Sequence, residues 1–345
     1  MSRPYLEIEA IQKDYPDFSL DMSLSCGKGE IVEILGPSGG GKTTFLRIIA
    51  GLIAPDRGHI LLEGRDITGL PPRQRGVGLV FQDFALFPHY DVAGNVAYGL
   101  KARHPRPEPQ EIATQVEALL RRFSLAGFGG RRIEGLSGGE RQRVALARAM
   151  AVSPGLMLFD EPLGSLDATL RKELRGELRV LQRELGYTSL SVTHDQEDAL
   201  AVADRVVVMR NGRMIQTGTP EEIYACPKTA FVASFFGDSN LIPAQELQAT
   251  ANAEGLFFIR AEQLRLIDPG GGLSHGGTVL ELVVNDFEYR GRDYFVKGRP
   301  QPTGGPALHD LAPICFRMAQ RPGLGDVVHV ELPQAALLPV VDDRN

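Results

Sequence analysis

The stretch Ile31-Val32-Glu33-Ile34-Leu35-Gly36-Pro37-Ser38-Gly39-Gly40-Gly41-Lys42-Thr43-Thr44 decides the fold. Ile31 to Leu35 reads as a buried strand, Gly36 to Gly41 as a glycine-rich loop, and Thr43 to Ala50 has helical character. Glycine at both ends of the loop, then lysine and a hydroxyl residue, is the spacing of a phosphate-cradling loop. Small residues let successive backbone N–H groups turn inward, and the following helix presents its positive end to an anion. Lys42 is then expected to reach the terminal phosphates, Thr43 to hold Mg²⁺ with Thr44 beside it, and Gly36, Pro37, Ser38, Gly39, Gly40 and Gly41 to wrap the phosphate chain.

A second apolar strand, Leu156-Met157-Leu158-Phe159, ends in the adjacent carboxylates Asp160 and Glu161. Strand alternation sends the two side chains in different directions. Asp160 is expected to orient Mg²⁺ and Glu161 to polarise the attacking water as general base. Two acids at a strand end are ordinarily a surface turn; the preceding phosphate loop reverses that reading. Between the two lies Leu136-Ser137-Gly138-Gly139-Glu140, followed by Arg141-Gln142-Arg143. It puts a hydroxyl, backbone donors and a helix N-terminus where they can meet a phosphate.

In this order the three motifs resemble the ATP-binding-cassette (ABC) ATPases, from about Leu6 to Phe236. The resemblance implies a P-loop NTPase α/β domain with a helical subdomain, ATP and Mg²⁺ as cofactors, and ATP hydrolysis as the activity. It implies roles for further residues: Tyr15 stacks on adenine, Gln82 senses Mg²⁺ and the water, and His194 meets the γ-phosphate. Gly164-Ser165-Leu166-Asp167 matches the D-loop, with Ser165 where alanine is commoner and Asp167 in place. In this family Ser137, Gly138 and Gly139 contact the nucleotide held by the other subunit, which implies a head-to-tail homodimer with two composite sites.

The remaining sequence bounds that reading. At 345 residues and roughly 150 residues per domain, the chain holds about two domains. Short apolar runs alternate with amphipathic helical patterns up to about Phe236, among them Ile112, Val116, Leu119, Leu120 and Phe123, and Leu170, Leu174, Leu178, Leu181 and Leu185. The second set reads as a helix covering its own domain, being too short for a coiled coil. After Asp238 come short β-like runs at Leu256 to Ile259, Leu264 to Ile267, Val279 to Val284, Tyr294 to Val296 and Val327 to Leu332, separated by glycine- and proline-rich turns. They predict a small all-β, OB-like domain over 239–345 after an ABC domain over 1–238.

A net charge of −6 provides no global field to recruit nucleic acid or an anionic membrane. Cys26, Cys226 and Cys315 lie far apart without metal-ligand spacing, as expected of a reducing compartment. Met1 to Tyr15 lacks the pattern of a signal peptide, and no run approaches the roughly 18 apolar residues of a spanning helix. No direct membrane insertion is expected; work at a membrane would go through another protein.

Gln82 continues into Phe84-Ala85-Leu86-Phe87-Pro88-His89, then Val92 and Asn95 to Leu100. This segment is similar to the surface of bacterial importer cassettes that receives a membrane subunit, although the same residues could form an apolar turn tucked into the protein's own core. Phe235 to Asn240 and Ile259 to Leu266 resemble the joint and TOBE-type β regulatory domain of the ferric iron, polyamine, sulfate and maltose importer ATPases, with Ala261 where proline is usual. The resemblance implies two membrane-spanning permease subunits, an external solute-binding protein acting indirectly, and a peripheral location on the cytoplasmic face of the bacterial inner membrane. Ferric iron or another small inorganic ion is the expected solute, ahead of polyamine, sulfate or sugar. A soluble ABC ATPase of DNA repair or translation would more naturally show two cassettes, a long coiled coil or a basic patch. A regulatory module without turnover is opposed by the presence of Lys42, Glu161 and His194.

Overall fold

The computed structural model describes residues 3–164, 168–247, 255–268, 277–301 and 312–344, in two compact units, Met1–Pro220 and Glu221–Asn345. The first contains strands β1 (Leu6–Tyr15), β2 (Phe18–Cys26), β3 (Ile31–Leu35), β4 (Arg57–Leu62), β5 (Arg65–Asp66), β6 (Val77–Val80), β7 (Leu156–Asp160), β8 (Thr188–Val192), β9 (Arg205–Arg210) and β10 (Arg213–Gly218). Its helices are α1 (Lys42–Ala50), α2 (Val92–Lys101), α3 (Pro109–Arg122), α4 (Gly138–Met150), α5 (Ala168–Leu185) and α6 (Gln196–Val202).

All ten strands join one sheet in the order β5-β4-β1-β2-β10-β9-β3-β8-β7-β6. The run β6-β7-β8-β3-β9 is parallel throughout, whereas β1, β2, β4 and β5 pair antiparallel. Burial follows that division. Every residue of β3, β7 and β8 is buried, as parallel strands covered on both faces require. In β2 buried and exposed positions alternate along most of its length, the pattern of a sheet with one solvated face. One apolar core joins the sheet to α1 through Phe45, Leu46, Ile48 and Ile49. A second surrounds α2, α3 and α4 and forms the helical subdomain.

The helices form where the spacing predicts them. Ile112, Val116 and Leu120 are the buried face of α3, which starts with a Glu108/Glu111 capping box and Pro109 in its first turn. On α5, Leu174 is buried, while Leu178, Leu181 and Leu185 pack partly buried against the helical-subdomain core; the Leu170 side chain lies outside the description. Arg75 was not singled out by the sequence, yet it is buried and ends α1. Its guanidinium donates to the carbonyls of Ile48 (2.8 Å), Ile49 (2.9 Å), Leu70 (2.8 Å) and Thr68 (2.6 Å). The Ile48 carbonyl also accepts the Gly51 N–H (3.1 Å) at the C-cap of α1, and Arg75 adds donors for the last carbonyls that a helix C-terminus leaves over.

The second unit follows α7 (Pro220–Ala225) and α8 (Ala230–Phe235) with strands β11 (Ser239–Pro243), β12 (Leu256–Arg260), β13 (Arg265–Ile267), β14 (Thr278–Tyr289), β15 (Tyr294–Pro300), β16 (Ile314–Met318), β17 (Val327–Leu332) and β18 (Leu338–Val340). They form two antiparallel sheets, β11-β12-β18 and β13-β17-β14-β15-β16. The five β-like runs all become strands; β11, β16 and β18 are additional. The compact units divide at Pro220/Glu221, earlier in the chain than the 238/239 division expected from composition. Arg260 supplies a physical reason for that grouping. Only 2% exposed, it donates to the carbonyls of Tyr224 (2.7 Å), Ala233 (3.0 Å) and Phe236 and stacks on the rings of Tyr224 and Phe258. It thereby ties both short helices to β12. Arg260→Ala strands those carbonyls and should destabilise this unit by about 3 kcal/mol or more, seen in calorimetry as a lowered transition for the β unit.

Candidate nucleotide site

Four parallel neighbours, β6, β7, β8 and β3, end along one edge of the sheet, with Val80 beside Phe159, Asp160 beside Val192 and Ile34 beside Val192. Gly36, Gln82, Glu161 and His194 each follow their own strand by one or two residues. The sheet therefore brings together four motifs that are far apart in sequence, at the carboxyl edge where open α/β sheets bind ligands.

The loop after β3 is shaped by close approaches. A Cβ on Gly36 would overlap the Met209 carbonyl oxygen of β9. Gly41 has φ +92° and is the N-cap of α1, and a Cβ there would overlap the Phe18 ring. No side chain caps α1, so its first N–H groups remain available to an anion. Lys42, 6% exposed, donates from Nζ to the carbonyls of Gly36 (2.8 Å) and Pro37 (2.9 Å). Burial holds its ammonium below the usual lysine range, while the carboxylates of Glu161 and Asp160 pull it back up.

Thr43 Oγ1 donates to Asp160 Oδ1 at 2.8 Å, joining the first turn of α1 to the end of β7. Burial pushes the Asp160 carboxyl above its usual range, opposed by the Thr43 hydrogen bond and by Arg47 and Lys42. Glu161 leaves the strand with φ +49°, a conformation uncommon for a side-chain-bearing residue. It is held there by hydrogen bonds from its N–H to the Val192 carbonyl (2.9 Å) and from the Gly164 N–H to its own carbonyl (3.1 Å). Its Oε2 lies 3.1 Å from His194 Nδ1, with the imidazole about half exposed. A buried cation, a hydroxyl–carboxylate pair and a carboxylate–imidazole pair thus share one site. That arrangement can bind a polyphosphate and hold a water beside its terminal group.

Gln82 is exposed just beyond β6, and the segment after it is clamped by two side chains outside the expected motifs. Arg148 of α4 donates to the carbonyls of Ala85 (2.6 Å) and Phe84 (2.7 Å), both of which have positive φ. Asn95, fully buried, accepts from the Phe87 N–H (2.8 Å) and donates to the carbonyls of Phe87 (3.1 Å) and Asp91 (3.0 Å). Phe84 is buried, but Phe87, His89, Tyr90 and Tyr98 form a ring cluster with Tyr90 and Tyr98 exposed. The segment is not a turn hidden in its own core.

Tyr15 stands 41% exposed at the end of β1, its ring 6.3 Å from that of Phe18, the residue packed against the Gly41 backbone. Ser137 is exposed as N-cap of α4, in a capping box whose Glu140 N–H donates to Ser137 Oγ (3.3 Å) and whose Glu140 carboxylate accepts from the Ser137 N–H (2.6 Å). Gly138 and Gly139 open that helix, which packs on α2, α3 and β6, so the signature segment belongs to the helical layer. Asp167, with Ser165 and Leu166, lies outside the described residues.

The family model described as "ABC transporter" matches residues 20–164. The chain is 47% identical to sulfate/thiosulfate import ATP-binding protein CysA 2 of Chromobacterium violaceum, covering 96% of this chain and 94% of that one. It is 43% identical to Fe(3+) ions import ATP-binding protein FbpC 2 of Rhizobium meliloti, over 92% and 86% of the two chains. A dimeric structure of a post-hydrolysis state of the ATP-binding cassette MJ0796, bound to ADP and Pi, matches with a TM-score of 0.56 at 28% identity, covering 62% of this chain and 98% of that one. Fold and site define a nucleotide-binding P-loop ATPase. The chain belongs to the ABC transporter family, as the ATP-hydrolysing subunit of an importer.

The tight fit at Gly36 gives a direct check. Gly36→Ala forces the loop away from β9 and should lower stability by about 1–3 kcal/mol together with nucleotide affinity, measured by thermal unfolding with and without ATP.

Proposed function

We propose that Lys42, Thr43, Asp160, Glu161 and His194 bind and hydrolyse MgATP, and that the energy drives uptake of a small inorganic ion through two membrane-spanning permease subunits. The observation that carries this is the convergence of those five side chains where α1 begins beside the ends of two parallel strands, with Thr43 on Asp160 and Glu161 on His194. Lys42 meets the terminal phosphates as a point charge, and the bare N-terminus of α1 with the N–H groups of Ser38 to Thr44 wraps the chain of phosphates. Glu161 accepts a hydrogen bond from the attacking water and draws off its proton. His194, paired with Glu161, contacts the γ-phosphate, and Tyr15 stacks on the base.

The donor set at the site fits Mg²⁺: the Thr43 hydroxyl is already seated on the buried Asp160 carboxylate, and hard oxygen ligands of this kind suit that ion. Thr43, Asp160 and Gln82 would hold it, directly or through water, and the ion would neutralise charge on the β- and γ-phosphates. Exposed Ser137, with Gly138 and Gly139, would grip the ATP bound to the other copy, making a homodimer with two shared sites, with Asp167 at the same interface. The dimeric ADP-bound relative supports that assembly.

The clamped, partly exposed ring cluster of Phe87, Tyr90 and Tyr98 is the docking face for a permease subunit, which in turn receives solute from an external binding protein. The protein then works peripherally on the cytoplasmic face of the bacterial inner membrane. Among the described residues, no helix is long and apolar enough to cross a membrane. Residues 239–345, on this reading, regulate the ATPase. Sulfate or thiosulfate is the solute favoured by the fuller match to the sulfate/thiosulfate relative, with ferric iron second through the iron relative. The sequence alone favours iron. Uptake of labelled sulfate and of ferric iron by vesicles containing this chain and the permeases encoded beside it separates the two; uptake of neither defeats the assignment.

Lys42→Ala should abolish hydrolysis and sharply weaken MgATP binding, and normal turnover by that variant would remove the loop from the mechanism. Glu161→Gln should retain nucleotide affinity while slowing hydrolysis about 10²–10⁴-fold. Light scattering should find this variant as a dimer with ATP and a monomer with ADP.

A further inference from the structure

Glu33 occupies the middle of β3, a strand whose five residues are all buried, and is itself 8% exposed. Its neighbour in the parallel register is Ser191 of β8, whose hydroxyl hydrogen-bonds the carboxyl. The other oxygen, Oε2, has no hydrogen-bond partner among the described residues. Glu33 lines a cavity of about 50 Å³ together with Asp198 and Arg175, whose wall also includes the apolar side chains of Ile31, Phe159 and Leu178. Asp198 Oδ1 also lacks a hydrogen bond, although Arg175 Nη2 lies 2.9 Å away, close enough to attract but not aligned to donate. The cavity exceeds the roughly 10–15 Å³ that one water needs, and buried polar atoms of this kind ordinarily have partners.

The two carboxyls stand at the roots of the catalytic segments. Glu33 precedes Gly36 by three residues on β3, and Ser191 precedes His194 by three on β8. Asp198 lies in the first turn of α6, where its N–H donates to the capping Asp195 Oδ1 at 3.0 Å; Asp195 is in turn held by Arg171 of α5 at 2.7 Å. We propose that Glu33 and Asp198 hold one proton between them through water in this cavity, and that the shared proton is a positioning device keeping His194 in register with the phosphate loop. The proposal rests on the reading of His194 as the group that meets the γ-phosphate.

The surroundings set the sign. Lining the cavity with Glu33 are Asp198 from α6, Arg175 from α5, Tyr187, Ser189 and Ser191 of β8, and Thr193 just beyond that strand. Farther out are Asp195, Glu197 and Arg171, and Asp204 at the Ile31 N–H with Glu30 and Arg205 at the start of β3. Burial pushes the Glu33 carboxyl from 4.5 up to about 8, opposed by Ser191 and reinforced by the negative charge of Asp198. Burial likewise raises Asp198, opposed by Arg175 and Arg171. The folded chain therefore keeps the proton that the unfolded chain loses above about pH 4.5. Stability falls as pH rises from there to about 8 and levels off above it. Loss of the proton sets two buried like charges against each other across the cavity.

Glu33→Gln keeps the shape and a donor but cannot ionise. The full-length variant and wild type are compared for melting temperature, kcat and KM for ATP from about pH 6 to 9. Wild type should show a melting temperature that falls from pH 6 to about 8 and then levels off, and should lose about tenfold in kcat by a pH one unit above the transition, with KM little changed. Glu33→Gln should match wild type at pH 6 and lack both declines. Identical pH profiles for the two proteins would overturn the proposal. If Glu33→Gln fails to fold, Asp198→Asn serves instead: removing the second charge should shift the transition to lower pH, and an unshifted transition overturns the shared proton. His194→Ala with undiminished kcat would sink the reading of His194, whereas the melting-temperature comparison tests the proton independently of it.

Discussion

Parallel register among β6, β7, β8 and β3 is the constraint on which the site depends. Strands that run in one direction end on one edge, so the residue following each strand arrives beside its neighbours; an antiparallel neighbour would deliver its residue to the opposite edge. Parallel pairing requires long crossovers and cover on both faces. Those requirements explain why β3, β7 and β8 are buried along their whole length and why α1 and the other helices pack as they do. The antiparallel wing, with its alternating burial in β2, contributes Tyr15 and Phe18 beside the loop.

Polar side chains with several donors organise the segments that the sheet leaves irregular. Arg75 ends α1, Arg148 holds Phe84 and Ala85, and Asn95 closes the turn from Phe87 to Asp91. Each satisfies carbonyls that bending exposes inside the protein, and burial holds the Arg75 and Arg148 guanidinium groups below their usual range without neutralising them. The planar guanidinium can reach two or more acceptors at fixed angles, which an ammonium on a flexible stem cannot do as well. Helix α4 joins two of these regions. It carries the exposed Ser137 cap at its start and Arg148 in its last turn, so the signature segment and the loop after Gln82 are mounted on one rod.

A buried acid between the phosphate-loop strand and the histidine strand costs stability that an apolar residue would not. Its position supplies what an apolar residue cannot: a charge-sensitive link between two segments whose relative placement sets the distance from Lys42 to His194. Arg143, which pairs with Glu177 on α5 at 2.8 Å, and Arg171 and Arg175 extend such links across α4, α5 and α6.

The sequence by itself determined the phosphate loop, the carboxylate pair, the signature segment and the all-β character of the tail, because each depends on local spacing: small residues in a run, an apolar strand before two acids, or a cap before a helix. The identities of Tyr15, Gln82 and His194 came with the family resemblance, since a single aromatic, amide or imidazole carries little local signal. Only the tertiary structure decided that Glu161 and His194 meet, that the segment after Gln82 keeps Phe84 inward and Tyr90 and Tyr98 outward, and that Arg75, Arg148, Asn95 and Glu33 have structural work. It also grouped 221–238 with the β unit through Arg260. These facts depend on which carbonyls are left without partners when distant strands and helices pack together, and that is a property of long-range contacts that no local spacing records.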